Sequence, residues 1–600
     1  MTAVLKAHVE LCETDSTRIV VSATYHVKEH IQAVPGARWD SKEKIWTVPR
    51  SWVSCLALRS EFGDGLTIGP ELNAWAAREG ATKAKLRELR VSVDSDEARA
   101  ALPDKPGFKG LFGHQQVDAL SIGIARRFLL LNETGTGKSR SALAGLSQIE
   151  QLHGDVFPLL IVAPKSMRIT WGREVEGFFP GADVRICQGT PSVLRTLLEP
   201  GGDVYVVSWD AVRQYSRLAP YGSTALSDDE KLNKELQAIP FKSAIIDEIH
   251  RGKNGESKRT RAVWAATASC ENVIGLTGTP VQDTIEDLWA VLRVVSPHEY
   301  PTKTRFLERF ADLQWNVWGG RDINGLNEKN REEFFNNFDA LTRRVTKDMA
   351  LDLPDKVYQV RWVDLPPKLR KAYEGMQESL AAELDTSVLA SENLLERAGR
   401  LLQLANSWGE VDSDGQFHMQ LPSPKIEAFI TDVLDGDYDG QQVVVFTDSR
   451  QLADLLMEQM TKKKLTYVAI TGSVTGDDRQ RAVDTFQEGH AQFCVVTRAG
   501  GEGVTLTAAS TMVRLVRPWS HTTHRQAEDR VHRIGSEIHD QITYVDYISD
   551  NTIECAQLVK LNAKEERSQE ILRDRSLLEM IKSTQDGTAR VSVTERSIND

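Results

Sequence analysis

Residues 132–139 read Asn-Glu-Thr-Gly-Thr-Gly-Lys-Ser and follow the apolar run Phe128-Leu129-Leu130-Leu131. A strand feeding a glycine-rich loop that ends in Gly-Lys-Ser is suited to cradling the phosphates of ATP or GTP. The N–H groups of Thr134, Gly135, Thr136 and Gly137 wrap the phosphates, Lys138 neutralises the β- and γ-oxygens, and the Ser139 hydroxyl ligates Mg²⁺. The usual pattern opens with glycine five places before the second glycine, and Asn132 stands there instead. Further along, Ile245-Ile246-Asp247-Glu248-Ile249-His250 is an apolar strand ending in paired carboxylates. At the C-terminal edge of a sheet these point into the crevice where ligands bind. Asp247 would hold Mg²⁺, directly or through water, and Glu248 would orient and deprotonate an attacking water. Taken alone, the pair is equally an ordinary strand end with solvated acids. Its place behind the phosphate loop, with two strands between, favours the catalytic reading.

These residues need a scaffold, and the apolar pattern supplies one. Runs of strand length recur at Leu159-Leu160-Ile161-Val162, Val204-Tyr205-Val206-Val207, Ser243-Ala244-Ile245-Ile246 and Val273-Ile274-Gly275-Leu276, separated by helical patterns. Strands that are apolar on both faces imply a parallel sheet covered on both sides. The pattern restarts at Val443-Val444-Val445-Phe446, Tyr467-Val468-Ala469-Ile470, Phe493-Cys494-Val495-Val496 and Met512-Val513-Arg514-Leu515-Val516. The fold class is therefore α/β, with two lobes. The organisation read from the chain is an N-terminal domain at 1–95, a polar linker at 96–106, a first lobe at 107–299, and helical insertions and an inter-lobe link at 300–422. A second lobe follows at 423–562, then a charged amphipathic helix and flexible tail at 563–600.

Bulk properties limit the alternatives. No stretch approaches the ~20 apolar residues needed to span a bilayer, and the N-terminus lacks the layout of a signal peptide, so the chain is expected to be cytoplasmic with no membrane partner. The six cysteines form no Cys-x-x-Cys pair, which leaves zinc ribbons and dithiol redox sites without support. A net charge of -12 argues against a protein that coats nucleic acid over its whole surface. A local basic groove stays compatible with it.

Asp-Glu-x-His after the Gly-Lys-Ser loop resembles superfamily II helicases, and further segments resemble their Snf-type (SWI/SNF-related) translocase branch. Leu111-Phe112-Gly113-His114-Gln115 is similar to the family's adenine-reading segment, which makes Gln115 the adenine contact. Ala163-Pro164-Lys165-Ser166 with Trp171 resembles the first DNA-contacting segment, and Leu276-Thr277-Gly278-Thr279-Pro280 with Gln282 the segment coupling hydrolysis to DNA. Residues 343–348 and 353–356 resemble the link between lobes. Thr471-Gly472-Ser473 and residues 500–506 resemble second-lobe DNA loops, with Trp519 beyond them. Residues 526–535, Gln-Ala-Glu-Asp-Arg-Val-His-Arg-Ile-Gly, resemble the arginine-finger helix. In that family an acidic residue commonly opens the phosphate loop, so Asn132 is a lesser departure than it first looks.

The resemblance implies two RecA-like lobes with ATP between them. Gln526, Arg530 and Arg533 would act with Lys138, Asp247 and Glu248, the two arginines sharing one helix face and reaching one γ-phosphate. It implies DNA contacts at Lys165, Ser208, Thr471, Thr505 and Trp519, made to phosphates rather than bases. Ser208 is equally well read as a strand-end cap. The N-terminal hairpin, with Arg38, Trp39, Lys44 and Trp46, resembles the HARP module of annealing helicases within a small α+β domain. Its aromatics could stack on unpaired bases of branched DNA or form the core of a small domain. The leading expectation is an ATP-dependent duplex DNA translocase that remodels forks or anneals strands. A strand-separating helicase, a remover of DNA-bound proteins, and a DNA-binding scaffold with a dead ATPase are the alternatives. The compact, Ala/Val/Arg/Asp-rich style fits a bacterial or phage source.

Overall fold

The computed structural model describes residues 5–34, 36–103, 105–218, 227–279, 285–315, 321–385, 391–474, 476–501, 504–518, 521–555 and 557. The expected C-terminal helix lies outside the described residues.

The first domain is a five-stranded sheet in the order Arg38–Asp40, Ile45–Pro49, Arg18–Ala23, Ala7–Leu11, Leu66–Ile68. Helices Lys28–Ala33 and Trp52–Phe62 pack with it over a core that includes Val9, Ile19, Val48, Leu58 and Phe62. Helix Pro70–Arg90 then packs on lobe 1, against helices Gly113–Ala125 and Arg331–Leu341. Part of the segment expected as a linker is folded. Ser95 caps helix Asp96–Ala101, accepting from the Ala98 N–H at 3.3 Å, and Ala98 packs with Leu89, Val117 and Leu120.

Lobe 1 holds a seven-stranded sheet in the order Thr342–Arg343, Arg127–Leu130, Asn272–Leu276, Ser243–Asp247, Leu159–Ala163, Val204–Ser208, Val184–Ile186, every neighbour pair parallel. Its apolar runs are continuous because successive side chains enter different cores. Leu129 and Leu131 join one buried cluster, Phe128 and Leu130 the other. Lobe 2 repeats this with six parallel strands: Asp355–Val363, Gln541–Ser549, Thr511–Val516, Val443–Thr447, Phe493–Thr497, Tyr467–Ile470. The stretch read as insertions and link thus gives an edge strand to each lobe, Thr342–Arg343 and Asp355–Val363. It also carries two antiparallel hairpins, Ala311–Trp315 with Arg321–Leu326 and Trp408–Val411 with Phe417–Gln420, beside its helices. Among the described residues no helix is long and apolar enough to cross a membrane.

Candidate nucleotide site and inter-lobe cleft

Strand Arg127–Leu130 enters the phosphate loop and helix Lys138–His153 leaves it. Gly135 and Gly137 have φ of 89° and 82°, the region glycine adopts without cost. A Cβ on Gly137 would stand 2.2 Å from Gln115 Nε2, so a side chain there would fill the cradle. The carboxamide of Gln115 is committed to the loop and to its own helix start. Nε2 donates to the Thr136 carbonyl at 3.2 Å, and Oε1 accepts from the Phe112 N–H at 3.0 Å. His114 Nε2 donates to the same Thr136 carbonyl at 2.9 Å. Two buried side chains therefore hold the loop from below.

Asn132, where the pattern has glycine, is fully buried. Its Nδ2 donates to Asp118 Oδ2 at 2.8 Å, and its Oδ1 accepts from the Val345 N–H at 2.9 Å. Asp118 also accepts from Ser141 Oγ and Arg343 Nε, each at 2.7 Å. Arg343 in turn donates to the Leu89 carbonyl at 3.1 Å and the Ser92 carbonyl at 2.6 Å. The residue that departs from the pattern thus joins the loop to helix Gly113–Ala125 and to the inter-lobe link.

Lys138 Nζ donates to the Glu133 carbonyl at 3.0 Å. Burial lowers its pKa, and the charges of Glu248 and Asp247 work in the opposite sense. Asp247 ends strand Ser243–Asp247, with Oδ2 accepting from Trp171 Nε1 at 3.0 Å and Oδ1 from the Glu248 N–H at 3.0 Å. Burial, and then the neighbouring Glu248 charge, push its carboxyl up to about 6. Among the described residues each Asp247 oxygen has one N–H donor, and a carboxylate oxygen accepts two bonds. One lone pair on each is therefore left for Mg²⁺ or its waters, and the donor set fits that ion.

Glu248 sits at φ 51°, uncommon for a residue with a side chain and a form of strain that clusters at active sites. Burial raises its pKa, but the His250 hydrogen bond and charge, then Lys138 and Arg251, bring it net below the ordinary value. His250 Nδ1 lies 3.2 Å from Glu248 Oε2 and 2.9 Å from Thr277 Oγ1, and Thr277 Oγ1 accepts from the Thr279 N–H at 3.1 Å. The carboxylate pair is thus connected to the 276–279 segment. Pro280 and Gln282 lie outside the described residues.

Lobe 2 closes against this loop. Arg525 donates to Glu133 Oε1 at 2.8 Å, Arg344 Nη2 stands 3.5 Å from the same oxygen, and the Lys347 N–H donates to Oε2 at 3.0 Å. Burial would raise Glu133, but the Arg525 and Arg344 charges, the Lys347 N–H and the Lys356 charge hold its carboxyl down at about 2. Arg533 Cβ lies 3.2 Å from where a Cβ on Gly135 would stand. One expectation is corrected: helix His521–Glu528 ends before Arg530 and Arg533, so the two do not share a helix face. They lie in the turns that follow. Arg533 abuts the phosphate loop, whereas Arg530 and Gln526 line an inter-lobe cleft of about 1270 Å³. Arg251, Lys253 and Arg259 line it from lobe 1, Arg450 and Arg498 from lobe 2; its carboxylates are Asp210 and Asp448.

Other expected DNA contacts distribute unevenly. Lys165 is exposed and pairs with Asp210, a cleft residue, at 2.9 Å. Ser208 is buried, and its Oγ caps helix Trp209–Tyr215 by accepting from the Ala211 N–H at 3.2 Å, which is the capping reading. Thr471 is buried under Arg450, whose Nη1 donates to its Oγ1 at 3.2 Å. Thr505 is half-buried beside Leu506, whose N–H donates to the Arg530 carbonyl at 2.9 Å. Trp519 lies outside the described residues. Trp171 of the first DNA-like segment faces inward onto Asp247.

In the N-terminal hairpin Trp39 and Trp46 are directly paired across strands, with ring centroids 5.4 Å apart. Trp46 packs on the domain core, whereas Trp39 is 50% exposed. Arg38 and Lys44 are exposed, and Lys44, Trp39, Trp46 and Lys28 line a cavity of about 560 Å³. Sequence reasoning missed Glu133, Lys347, Arg525 and Asp529 as a cluster, because each pairs with a residue far away in the chain.

Two parallel α/β sheets facing across a phosphate loop and an arginine-bearing turn define a two-lobed helicase-type core. More particularly, the chain belongs to the SNF2-related family. The family model described as SNF2-related domain matches residues 93–409, and that described as Helicase conserved C-terminal domain matches 425–535. Among curated proteins, the chain is 26% identical over 428 residues to Protein CHROMATIN REMODELING 5 of Arabidopsis thaliana, covering 68% of this chain and 24% of that protein. It is 26% identical over 499 residues to DNA annealing helicase and endonuclease ZRANB3 of Mus musculus, covering 81% of this chain and 42% of that protein. The chain thus spans less than half the length of these relatives. A solved Sulfolobus solfataricus SWI2/SNF2 ATPase core in complex with dsDNA is similar at 21% identity and a TM-score of 0.37, covering 81% of this chain and 96% of that one.

Proposed function

We propose that this protein is an ATP-dependent translocase on duplex DNA that remodels forks or anneals strands. The observation that carries the ATPase reading is the packing of Arg533 against Gly135 across the lobe interface, opposite Lys138, Asp247 and Glu248. In this reading the loop N–H groups of 134–137 and Lys138 bind the phosphates of ATP, with Gln115 beneath the loop. Ser139 and Asp247 would hold Mg²⁺, which when bound neutralises charge on the β- and γ-oxygens. Glu248, steadied by His250, accepts the proton of the attacking water. Arg533, with Arg530 and Gln526 nearby, stabilises the charge that spreads over the γ-phosphoryl oxygens, an effect worth roughly 10³–10⁵ in rate in other NTPases. DNA lies in the basic cleft, held at its phosphates from both lobes near Lys165, Thr471 and Thr505. Opening and closing alternates the two grips. Family membership and the cleft's cations support the DNA partner. The half-exposed Trp39 with Arg38, Lys44 and Trp46 supports a HARP-like role on branched DNA.

The test is ATP hydrolysis with single-stranded, duplex and forked DNA. Stimulation by DNA that disappears in Lys138→Ala is expected. Hydrolysis indifferent to both would sink the motor reading. Removing residues 1–95 is a poor probe of fork recognition, because Arg343 donates to carbonyls of 89–92. Trp39→Ala is cleaner, being on the surface: it should reduce the preference for forked DNA by at least about fivefold, as expected for one lost base stack of about 1–3 kcal/mol. Equal activity on all three DNA forms, before and after this change, would overturn the fork-recognition part.

A further inference from the structure

Lys347 heads the short helix Lys347–Ala350 in the link between lobes, and it is buried. The lobe 1 edge strand Thr342–Arg343 precedes it and the lobe 2 edge strand Asp355–Val363 follows it, so it sits where the chain crosses from lobe to lobe. Its N–H donates to Glu133 of the phosphate loop at 3.0 Å. Its ammonium donates to Asp529 Oδ1 at 2.5 Å and to the His532 carbonyl. Its Cε and Nζ lie 3.4 and 3.7 Å from where a Cβ on Gly135 would stand, beside the Arg533 Cβ at 3.2 Å from that point.

A buried ammonium is costly unless paired and hydrogen-bonded. Here both acceptors named belong to one turn, and they bracket it: Asp529 opens it, and His532 immediately precedes Arg533. The side chain therefore grips the backbone that carries Arg533 while its stem rests on the phosphate loop. A lysine that merely tied lobe 2 to the link would have no need to touch both. The cluster has further charges facing it. Lys356 acts on Glu133 and on His532, and Arg525 completes the Glu133 side.

We infer that Lys347 is a positioning residue that clamps the turn 529–533 onto the phosphate loop and so places Arg533. The inference rests on the ATPase reading above. It acts through Arg533 and contributes mainly when the lobes are closed for turnover, so its loss falls on kcat rather than on KM.

The experiment uses the full chain with Lys347→Met, which keeps the apolar stem, Lys347→Arg, Arg533→Ala and the Lys347→Met/Arg533→Ala double variant. ATP hydrolysis is measured with saturating duplex DNA. Displacing the turn by an ångström costs on the order of 100-fold in kcat, and Lys347→Met is expected to show a loss of about that size, with KM for ATP within about threefold and partial recovery in Lys347→Arg. The double variant should be no slower than Arg533→Ala. A Lys347→Met kcat within twofold of the parent, or losses that multiply in the double variant, would overturn the inference. Hydrogen exchange is the readout that needs no activity. In Lys347→Met and in Asp529→Asn the amides of 529–533 should exchange at least about tenfold faster, with strand Arg127–Leu130 unchanged. Unchanged exchange at 529–533 would overturn the clamp even in an inactive protein. Faster exchange in the variants, together with a parent chain that hydrolyses no ATP, would uphold the clamp and refute the ATPase reading instead.

Discussion

Replacing Asn132 with glycine would restore the first glycine of the phosphate-loop pattern, and the structure predicts that this weakens the protein. The carboxamide is fully buried and makes two hydrogen bonds, to Asp118 Oδ2 at 2.8 Å and from the Val345 N–H at 2.9 Å. Losing a bond to an ionised carboxylate costs about 1.5–3 kcal/mol, and leaving a buried N–H without its acceptor costs about 1–3 kcal/mol. Glycine adds roughly 0.5–1 kcal/mol through the greater freedom of the unfolded chain. Asn132 does not sit at positive φ, so glycine gains nothing from its conformational range there. A water entering the vacated space would hold the total to the lower ends of these ranges, about 3 kcal/mol. A chain of several domains does not melt in one two-state step, so the relevant signal is the transition of lobe 1. For a unit of roughly 200 residues that cost lowers its midpoint by about 6–12 °C. Differential scanning calorimetry reads the shift, and hydrogen exchange at the Val345 amide reads its origin. A glycine variant melting within about 2 °C of the parent, with Val345 equally protected, would refute the claim that Asn132 ties the loop to the link.

The Glu133–Arg525 contact should be energetically coupled across the lobes. A double-mutant cycle with Glu133→Gln and Arg525→Met, read in the inter-lobe melting transition, is expected to give about 1–3 kcal/mol, and additive effects would contradict it. Glu133 is held down at about 2 in the folded chain against an ordinary 4.5. Its stabilisation is therefore complete above about pH 4.5 and is lost as pH falls toward 2, so Glu133→Gln should flatten that part of the acid-unfolding curve. Trp171→Phe removes the indole N–H that Asp247 Oδ2 accepts. Because that bond lowers the Asp247 pKa, the variant should need about tenfold or more Mg²⁺ for half-maximal ATP hydrolysis; an unchanged Mg²⁺ titration would show that the indole serves packing alone.

The parts legible in the sequence are those governed by local physics. Central strands such as Ser243–Asp247 are apolar throughout because both faces are buried, and the Asp247–Glu248 pair announces itself by ending one of them. Strand Asp355–Val363 was illegible as a strand: it is a sheet edge, exposed along most of its length, so no burial pattern marks it in the chain. The spacing of Arg530 and Arg533 suggested one helix face, but the helix stops at Glu528. Trp171 looked like part of a DNA-contacting segment. Only the folded sheet, with the helix carrying Trp171 packed beside Asp247, reveals its indole as a carboxylate donor. Glu133–Arg525 and Lys347–Asp529 join residues 392 and 182 positions apart, and no local spacing encodes such a pair.

Those long-range pairs bear on how the lobes can move. Among the described residues, the buried apolar clusters of lobe 1 and lobe 2 are separate. What bridges the phosphate loop and the link to lobe 2 is charged: Glu133 with Arg525 of helix His521–Glu528, and Lys347 with Asp529 of the turn that follows. Lys347–Asp529 is buried and Glu133–Arg525 partly so; as such pairs leave water, the desolvation cost and the Coulomb gain both grow and nearly cancel, whereas breaking one pair by removing a partner is expensive. An apolar interface of the same extent would favour closure steadily at roughly 25 cal/mol per Å² buried. The charged one leaves a small net free energy that depends on which charges are present. Triphosphate oxygens arriving beside Gly135 would face Lys138 and Arg533, with the Lys347–Asp529 pair behind Arg533, so their negative charge would act on the same balance that sets lobe closure. A cleft held in this way can be closed by a bound anion and released by its departure, and its response should weaken in high salt more than the stability of either lobe does.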